Sequence, residues 1–588
     1  MKKLLLMTAI TAAIFAVDAS AVVPTIPNSS PLKVDFSTTT GIQNVTNVPL
    51  ANILYVTGSS AASKFLPNTI TTLAMPGTVV YKYQNAPAND IFTYVFTAGE
   101  EGVKAGLTLN NTYVIHQRTR DGSMTAALIA SVATPDKALG VTFNSLADFA
   151  TNAATFTCTS AAASTATNVI TVTCSGTTPE KLVVAPATAK GVTGTSSVLG
   201  LADVDAAQFA SELNGANKAN GLLNTGTAAA PKGAAAMGSS PVAAQVFGIA
   251  TNLKLYKAMQ TAQLASGSLP STCTVGDDTE ACMPGFTSEQ ITSMFAKGRF
   301  NDWSNLSYGA GNLVSANATN KPANTAVHLC SRASGSGTLA SLQSVFENAP
   351  CSVNEAIQAA TTTTVYPAAA NVAGAEQANA SEKVYHSTVG SGDLENCLAT
   401  FDGYDTATKT AATSGINGNG NFGAGTGNKI SLSPPTTKDD FRWAVGILNA
   451  DRNGNKALPY RFVKIDGYAP SLVNTANGKY RFWSELSYIT SKPGTALTGT
   501  AAAIVKAMSV PAIIAKGNPK TATWDTTAAH ASGYMATAGQ AISNVTAFDP
   551  NLPVMPFTHA DGANKAGSVN HCRAPAILNG KVTLPGLN

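Results

Sequence analysis

Charge is the scarcest commodity in this sequence. Asp, Glu, Lys and Arg make up 12% of its 588 residues, where about a quarter is ordinary, and the formal net charge is only +4. There is no run of Lys or Arg, which argues against nucleic acid or an anionic membrane surface as a partner, and any positive field must be local. The six histidines are scattered and no Cys-x-x-Cys occurs, so no metal site is expected. No nucleophile elbow is present and Ser336 has no His or other base at a recognisable spacing, which argues against a hydrolase. Beyond the first 21 residues no apolar run is long enough to span a bilayer. No Cys precedes Cys158, so no lipid anchor is expected.

What is abundant is Ala, Thr, Ser, Asn and Gly, a neutral polar composition that suits a secreted protein. Residues 1–21 have a basic start, an apolar core and small residues at Ala19 and Ala21, which reads as a signal peptide cleaved before Val22. The eight cysteines all follow it, and an even number in an oxidising compartment predicts disulfides. Short loops favour Cys158–Cys174, Cys273–Cys282 and Cys330–Cys351; Cys397–Cys572 remains by elimination, and spacing does not prove any of the pairings.

The chain is organised around Arg332-Ala333-Ser334-Gly335-Ser336-Gly337-Thr338. An alternating run ends before it and a helically spaced apolar run follows it, so the Ser/Gly segment opens a helix. Unpaired N–H groups at such an opening, the Ser336 and Thr338 hydroxyls and the Arg332 guanidinium together make a cage of donors for an oxyanion. Two earlier segments repeat the strand, turn and small-residue helix: one turns at Ser59 or Ser60, the other at Ser123. A third strand leads to Asp203-Val204-Asp205. His116, Arg118 and Arg120 read as exposed charges on a strand, and residues 156–174 as a disulfide-closed β-hairpin. Gly418 to Gly423 matches a dinucleotide fingerprint by composition alone, without its strand and helix.

The RASGSGT segment resembles the signature of the periplasmic phosphate-binding proteins of ABC importers. Residues 246–255, 291–306 and 463–490 resemble further segments of that family in order, with large insertions. The resemblance implies an α/β, two-lobed type II periplasmic-binding fold with a hinge and an anion cleft between the lobes. Its ligands would be Ser59, Ser60, Ser123 and Asp205 from one lobe, with Arg332, Ser336, Gly337 and Thr338 from the other; Ser391 and Gly392 would line the cleft or cap a helix. Asp205 fits the family's acceptor for the proton of monohydrogen phosphate best, with Asp203 as its neighbour. Two positions depart from the pattern: Ala62 stands where a ligand Thr is usual, and Val204 where a Ser is.

The implied organisation is a signal peptide (1–21), an N-terminal arm (22–50), lobe 1 (51–245, with an insertion at about 135–198), lobe 2 (246–445), a return to lobe 1 (446–490) and a C-terminal extension (491–588). The expected function is binding of phosphate or a related oxyanion outside the inner membrane for uptake or scavenging, with an ABC permease as possible partner, no enzymatic activity and no cofactor. The rival is an extracellular structural or adhesive protein, capable of self-assembly, that keeps the fold as a scaffold.

Overall fold

In a computed structural model the chain is described at residues 48–63, 65–86, 91–119, 122–130, 140–144, 156–160, 169–176, 180–184, 197–210, 237–296, 300–322, 324–333, 335–349, 351, 383–388, 390–405, 410–411, 420–421, 429–430, 441–490, 496–519, 521–524, 532–537, 548–560 and 569–577. The expected signal peptide, most of the N-terminal arm and the side chains of Cys158 and Cys174 lie outside these residues. The fold is mixed α/β, built on one large mixed sheet.

The sheet has two parallel regions joined by antiparallel strands. In the first, the Ile53–Gly58 strand pairs parallel with both Thr112–Arg118 and Ser197–Ala202. In the second, His328–Arg332 pairs parallel with both Val384–Thr388 and Ala444–Asn449. The join is Gly238–Asn252, fifteen residues long and buried throughout. Its first half runs antiparallel to Trp483–Thr490, and its second half antiparallel to Ala444–Asn449. A strand buried on both faces reads as a near-continuous apolar run, which is how residues 241–250 read.

Burial divides at this strand. Ala243 belongs to one apolar cluster, with Leu54, Phe65, Ile70, Ile115 and Leu486. Its neighbour Ala244 belongs to another, with Phe247, Trp303, Leu329, Trp443 and Phe482. Each fully buried large side chain contributes about 1.5–3 kcal/mol relative to exposure, so both clusters hold their own surroundings together. Trp303 and Trp443 are fully buried, and Trp303 Nε1–H donates to the Trp443 carbonyl at 3.1 Å.

Several expectations are met by the elements and others are corrected. Phe156–Ser160 and Val169–Gly176 form an antiparallel pair with Cys158 opposite Cys174, and the pair joins the sheet edge by parallel contact with Val80–Ala86. Pro511 does break a helix: Gly499–Met508 and Pro511–Gly517 meet at 75°. Among the described residues no single helix is long and apolar enough to cross a membrane. His116 and Arg118 are buried rather than exposed; the imidazole stacks on Tyr55 and bonds Thr93 Oγ1 at 2.9 Å. Described residues beyond 491 are woven into the core, because Tyr534–Thr537 pairs with the long strand at Ala243 to Gln245 and Ile504, Met508 and Ile514 pack with Phe65 and Ile70.

The disulfides require correction. Cys273–Cys282 forms as expected. The pairs Cys330–Cys351 and Cys397–Cys572 do not form; the bridges are Cys330–Cys397 and Cys351–Cys572. Packing decides this. The Ser391–Phe401 helix lies on the His328–Arg332 strand and brings the Cα atoms of Cys330 and Cys397 to 6.0 Å, leaving Cys351, with its Cα 5.0 Å from that of Cys572, to meet the C-terminal segment.

Candidate functional site

In an open α/β sheet the turns at the carboxyl ends of parallel strands form the crevice where ligands bind. Among the described residues, parallel strands that end at Gly58, Arg118, Ala202, Arg332 and Thr388 lead into such a region. The first needs its glycine: Gly58 has φ +126°, a conformation L side chains rarely adopt, and it brings the Ser59 N–H to within 2.8 Å of the Leu201 carbonyl.

Asp203 is the centre. Its carboxylate accepts hydrogen bonds from Ser59 Oγ and, at 3.4 Å, from Thr338 Oγ1, while its backbone N–H donates to Ser123 Oγ at 3.3 Å. Burial pushes the Asp203 pKa up; the Ser59 hydroxyl and the Arg332 charge work against that rise. Arg332 is buried opposite. Its Nη2 donates to Ser60 Oγ at 3.0 Å and its Nη1 to Ser391 Oγ at 3.1 Å. Burial pulls the guanidinium pKa down to about 10, and Asp203 resists the fall.

The turn after Arg332 closes on the turn after Arg118. Met124 N–H donates to the Gly335 carbonyl at 3.0 Å. Ser336 caps the Gly337–Leu342 helix by accepting from the Leu339 N–H at 3.4 Å. Gly337 lies so close to the opposite turn that a Cβ there would collide with Ser123 Oγ and stand 2.8 Å from Asp203 Oδ2. Ser59, Ser123, Arg332, Ser336, Gly337 and Thr338 are thus brought together with half-buried Ser60.

Asp205 is not among them. Its Oδ2 accepts from the His571 N–H at 2.8 Å and faces His571 Nδ1 at 2.9 Å, and its Oδ1 accepts from the Ala207 N–H. The carboxylate among the cluster's hydroxyls is that of Asp203, and its charge acts on Arg332. Sequence reasoning gave Ser391 only as one of two alternatives, and the Arg332 bond marks it as part of the cluster. Val204 is fully buried in a small apolar cluster with Phe209 and Met237.

No protein-family model matches the chain, and no curated protein matches it. Similar solved structures include a protein described as a phosphate ABC transporter substrate-binding protein, with bound phosphate, from Clostridium perfringens; it is 12% identical, with a TM-score of 0.31, and the match covers 79% of this chain and 98% of that one. Another is an ABC-type phosphate transport receptor from Vibrio cholerae, 11% identical, with a TM-score of 0.21 and coverage of 44% and 62%. Neither likeness is close enough to carry an argument.

Proposed function

We propose that the chain is a solute-binding protein for an oxyanion, monohydrogen phosphate foremost, held between Asp203 and Arg332. The observation that carries this is the buried guanidinium set opposite a buried carboxylate, with the hydroxyls of Ser59, Ser60, Ser123, Thr338 and Ser391 converging at strand ends. A tetrahedral anion needs several donors and, if it carries a proton, one acceptor. Arg332, the hydroxyls and the N–H groups beyond Ser336 supply the donors; Asp203 is the acceptor.

The two apolar clusters, joined at the long strand, would be two lobes that part to admit the anion and close once it adds contacts from both sides. On entry, the Ser59 and Thr338 hydroxyls would turn from the Asp203 carboxylate to the ligand. The disulfides suit an oxidising compartment, hence a periplasmic or extracellular protein, and an importer's permease would be its partner.

The test is calorimetry with phosphate and sulfate. At neutral pH phosphate should bind and sulfate, which brings no proton to an ionised carboxylate, should not compete. Asp203→Asn should admit sulfate, since an amide can donate where a carboxylate only accepts. A specific observation favours a second reading as a scaffold: the Ser59 and Thr338 hydroxyls already satisfy Asp203. In that case ligand-stripped protein would bind neither anion at millimolar concentration, and that result would remove the binding reading.

A further inference from the structure

We propose that Glu485, His559 and His571 form a binding site for a divalent metal ion of zinc's type, which pins the C-terminal segment to the central sheet. The site is separate from the anion cluster and does not rest on the function proposed for it. The three side chains are buried, and their ligand atoms all lie within 4.8 Å of one another. Two imidazoles and a carboxylate are a donor set zinc uses. Ligands about 2.1 Å from a tetrahedral ion stand roughly 3.4 Å apart, so small movements suffice. The observed separations are 2.7 Å from Glu485 Oε2 to His559 Nδ1 and 3.3 Å from the same oxygen to His571 Nε2.

The surroundings prepare each ligand. Glu485 Oε1 is occupied, accepting from the His559 N–H at 2.6 Å and the Thr558 hydroxyl at 3.0 Å; Oε2 is left to the two imidazoles as a single-oxygen ligand. His571 Nδ1 lies 2.9 Å from Asp205 Oδ2 and 3.1 Å from the Asp205 backbone nitrogen. Donation to the carboxylate is the stronger, charge-assisted choice. With the Nδ1 proton held by Asp205, Nε2 is the nitrogen that would face an ion; it now accepts from the Glu485 backbone N–H at 3.3 Å, a bond that the ion would replace. A carboxylate behind an imidazole in this way is the usual support of a metal-bound His.

Asp205 and Glu485 are both buried beside these imidazoles, whose rings are 4.9 Å apart, so a divalent ion held here would have two carboxylates close by to offset its charge.

The experiment uses the untagged, disulfide-intact chain, stripped with a chelator and titrated with zinc and then cobalt. The expected result is about one zinc per chain, a raised Tm, and a visible cobalt spectrum that zinc abolishes. His559→Ala should lose the cobalt spectrum, and Asp205→Asn should weaken zinc about ten- to a hundredfold while the ligands remain. Folding of each variant is checked by circular dichroism; if His559→Ala does not fold, Glu485→Gln takes its place. Wild-type protein that gains no zinc and no Tm, or folded ligand variants with unaltered zinc affinity, would overturn the proposal and leave a histidine–carboxylate ion-pair cluster. Phosphate titration of the same samples reports on the anion cluster separately.

Discussion

Arg332 shows how much one side chain holds in this molecule. Its guanidinium reaches Ser60 on one side and Ser391 on the other. Its planar fork can serve a phosphate oxygen pair in a way an ammonium cannot. Arg332→Ala should weaken phosphate binding at least tens-fold, since removing one partner from a desolvated charged contact costs about 2–5 kcal/mol; calorimetry gives the value. Unchanged affinity would take Arg332 out of the site.

Glu347 makes a different prediction at the same scale. Burial raises its carboxyl from 4.5 to about 8, against the pull of Lys383, and its Oε2 has no hydrogen-bond partner among the described residues. The folded state therefore holds a proton that the unfolded state releases between these two values. Stability from this group is complete below the unfolded pKa and is lost as pH rises through the folded one. Denaturant midpoints should fall from about pH 5 to about pH 7.5 in the wild type, and Glu347→Gln should remove part of that fall. Parallel profiles would show that Glu347 is ionised in the folded protein.

Among the elements, the Tyr534–Thr537 strand ties the late part of the chain to the Phe65–Leu73 helix. Tyr534 stacks on Phe65 with ring centroids 4.2 Å apart, and its hydroxyl donates to the Ala61 carbonyl at 2.8 Å. That carbonyl also accepts from Asn449 Nδ2 at 3.2 Å. Tyr534→Phe keeps the stack and leaves the carbonyl one partner, so the expected loss is at the lower end of the 0.5–1.5 kcal/mol for a hydrogen bond, about 0.5 kcal/mol by equilibrium unfolding. A loss of several kcal/mol would mean that the hydroxyl, rather than the ring, anchors this strand. Element identity was largely legible beforehand: period, turn residues and Pro511 act over a few residues, and those local forces survive in the fold. His116 and Arg118 were misjudged because alternation shows which face a residue takes but not whether that face is covered.

At the scale of the whole molecule, the Cys351–Cys572 bridge spans 221 residues. Closing a loop of that size removes much unfolded-state entropy, on the order of 5 kcal/mol as an upper value. Replacing both cysteines with Ser should lower Tm clearly, and by more than replacing Cys273 and Cys282, which are only nine residues apart; differential scanning calorimetry of the two double variants makes the comparison. Equal losses would show that native packing around the short bridge outweighs chain entropy.

By itself the sequence determined the local units: strands that end in Ser- and Gly-bearing turns, the RASGSGT helix opening, the short-loop Cys273–Cys282 bridge and the hairpin that sets Cys158 opposite Cys174. Each depends on neighbours a few residues apart, where spacing is itself the physics. Tertiary structure alone decided which of two acidic residues joins the cluster. Asp203 and Asp205 are two apart and Asp205 was the expected one, but the path of the chain after the Ser197–Ala202 strand sets Asp203 among the Ser59 and Thr338 hydroxyls and Asp205 against His571. It decided the long bridges too, because a disulfide needs two Cα atoms within about 7 Å and loop length does not say which helix will lie on which strand. The meeting of Glu485 with His559 and His571 was likewise beyond reach: the histidines come 74 and 86 residues later, and only the docking of the C-terminal segment on the central strand brings them together.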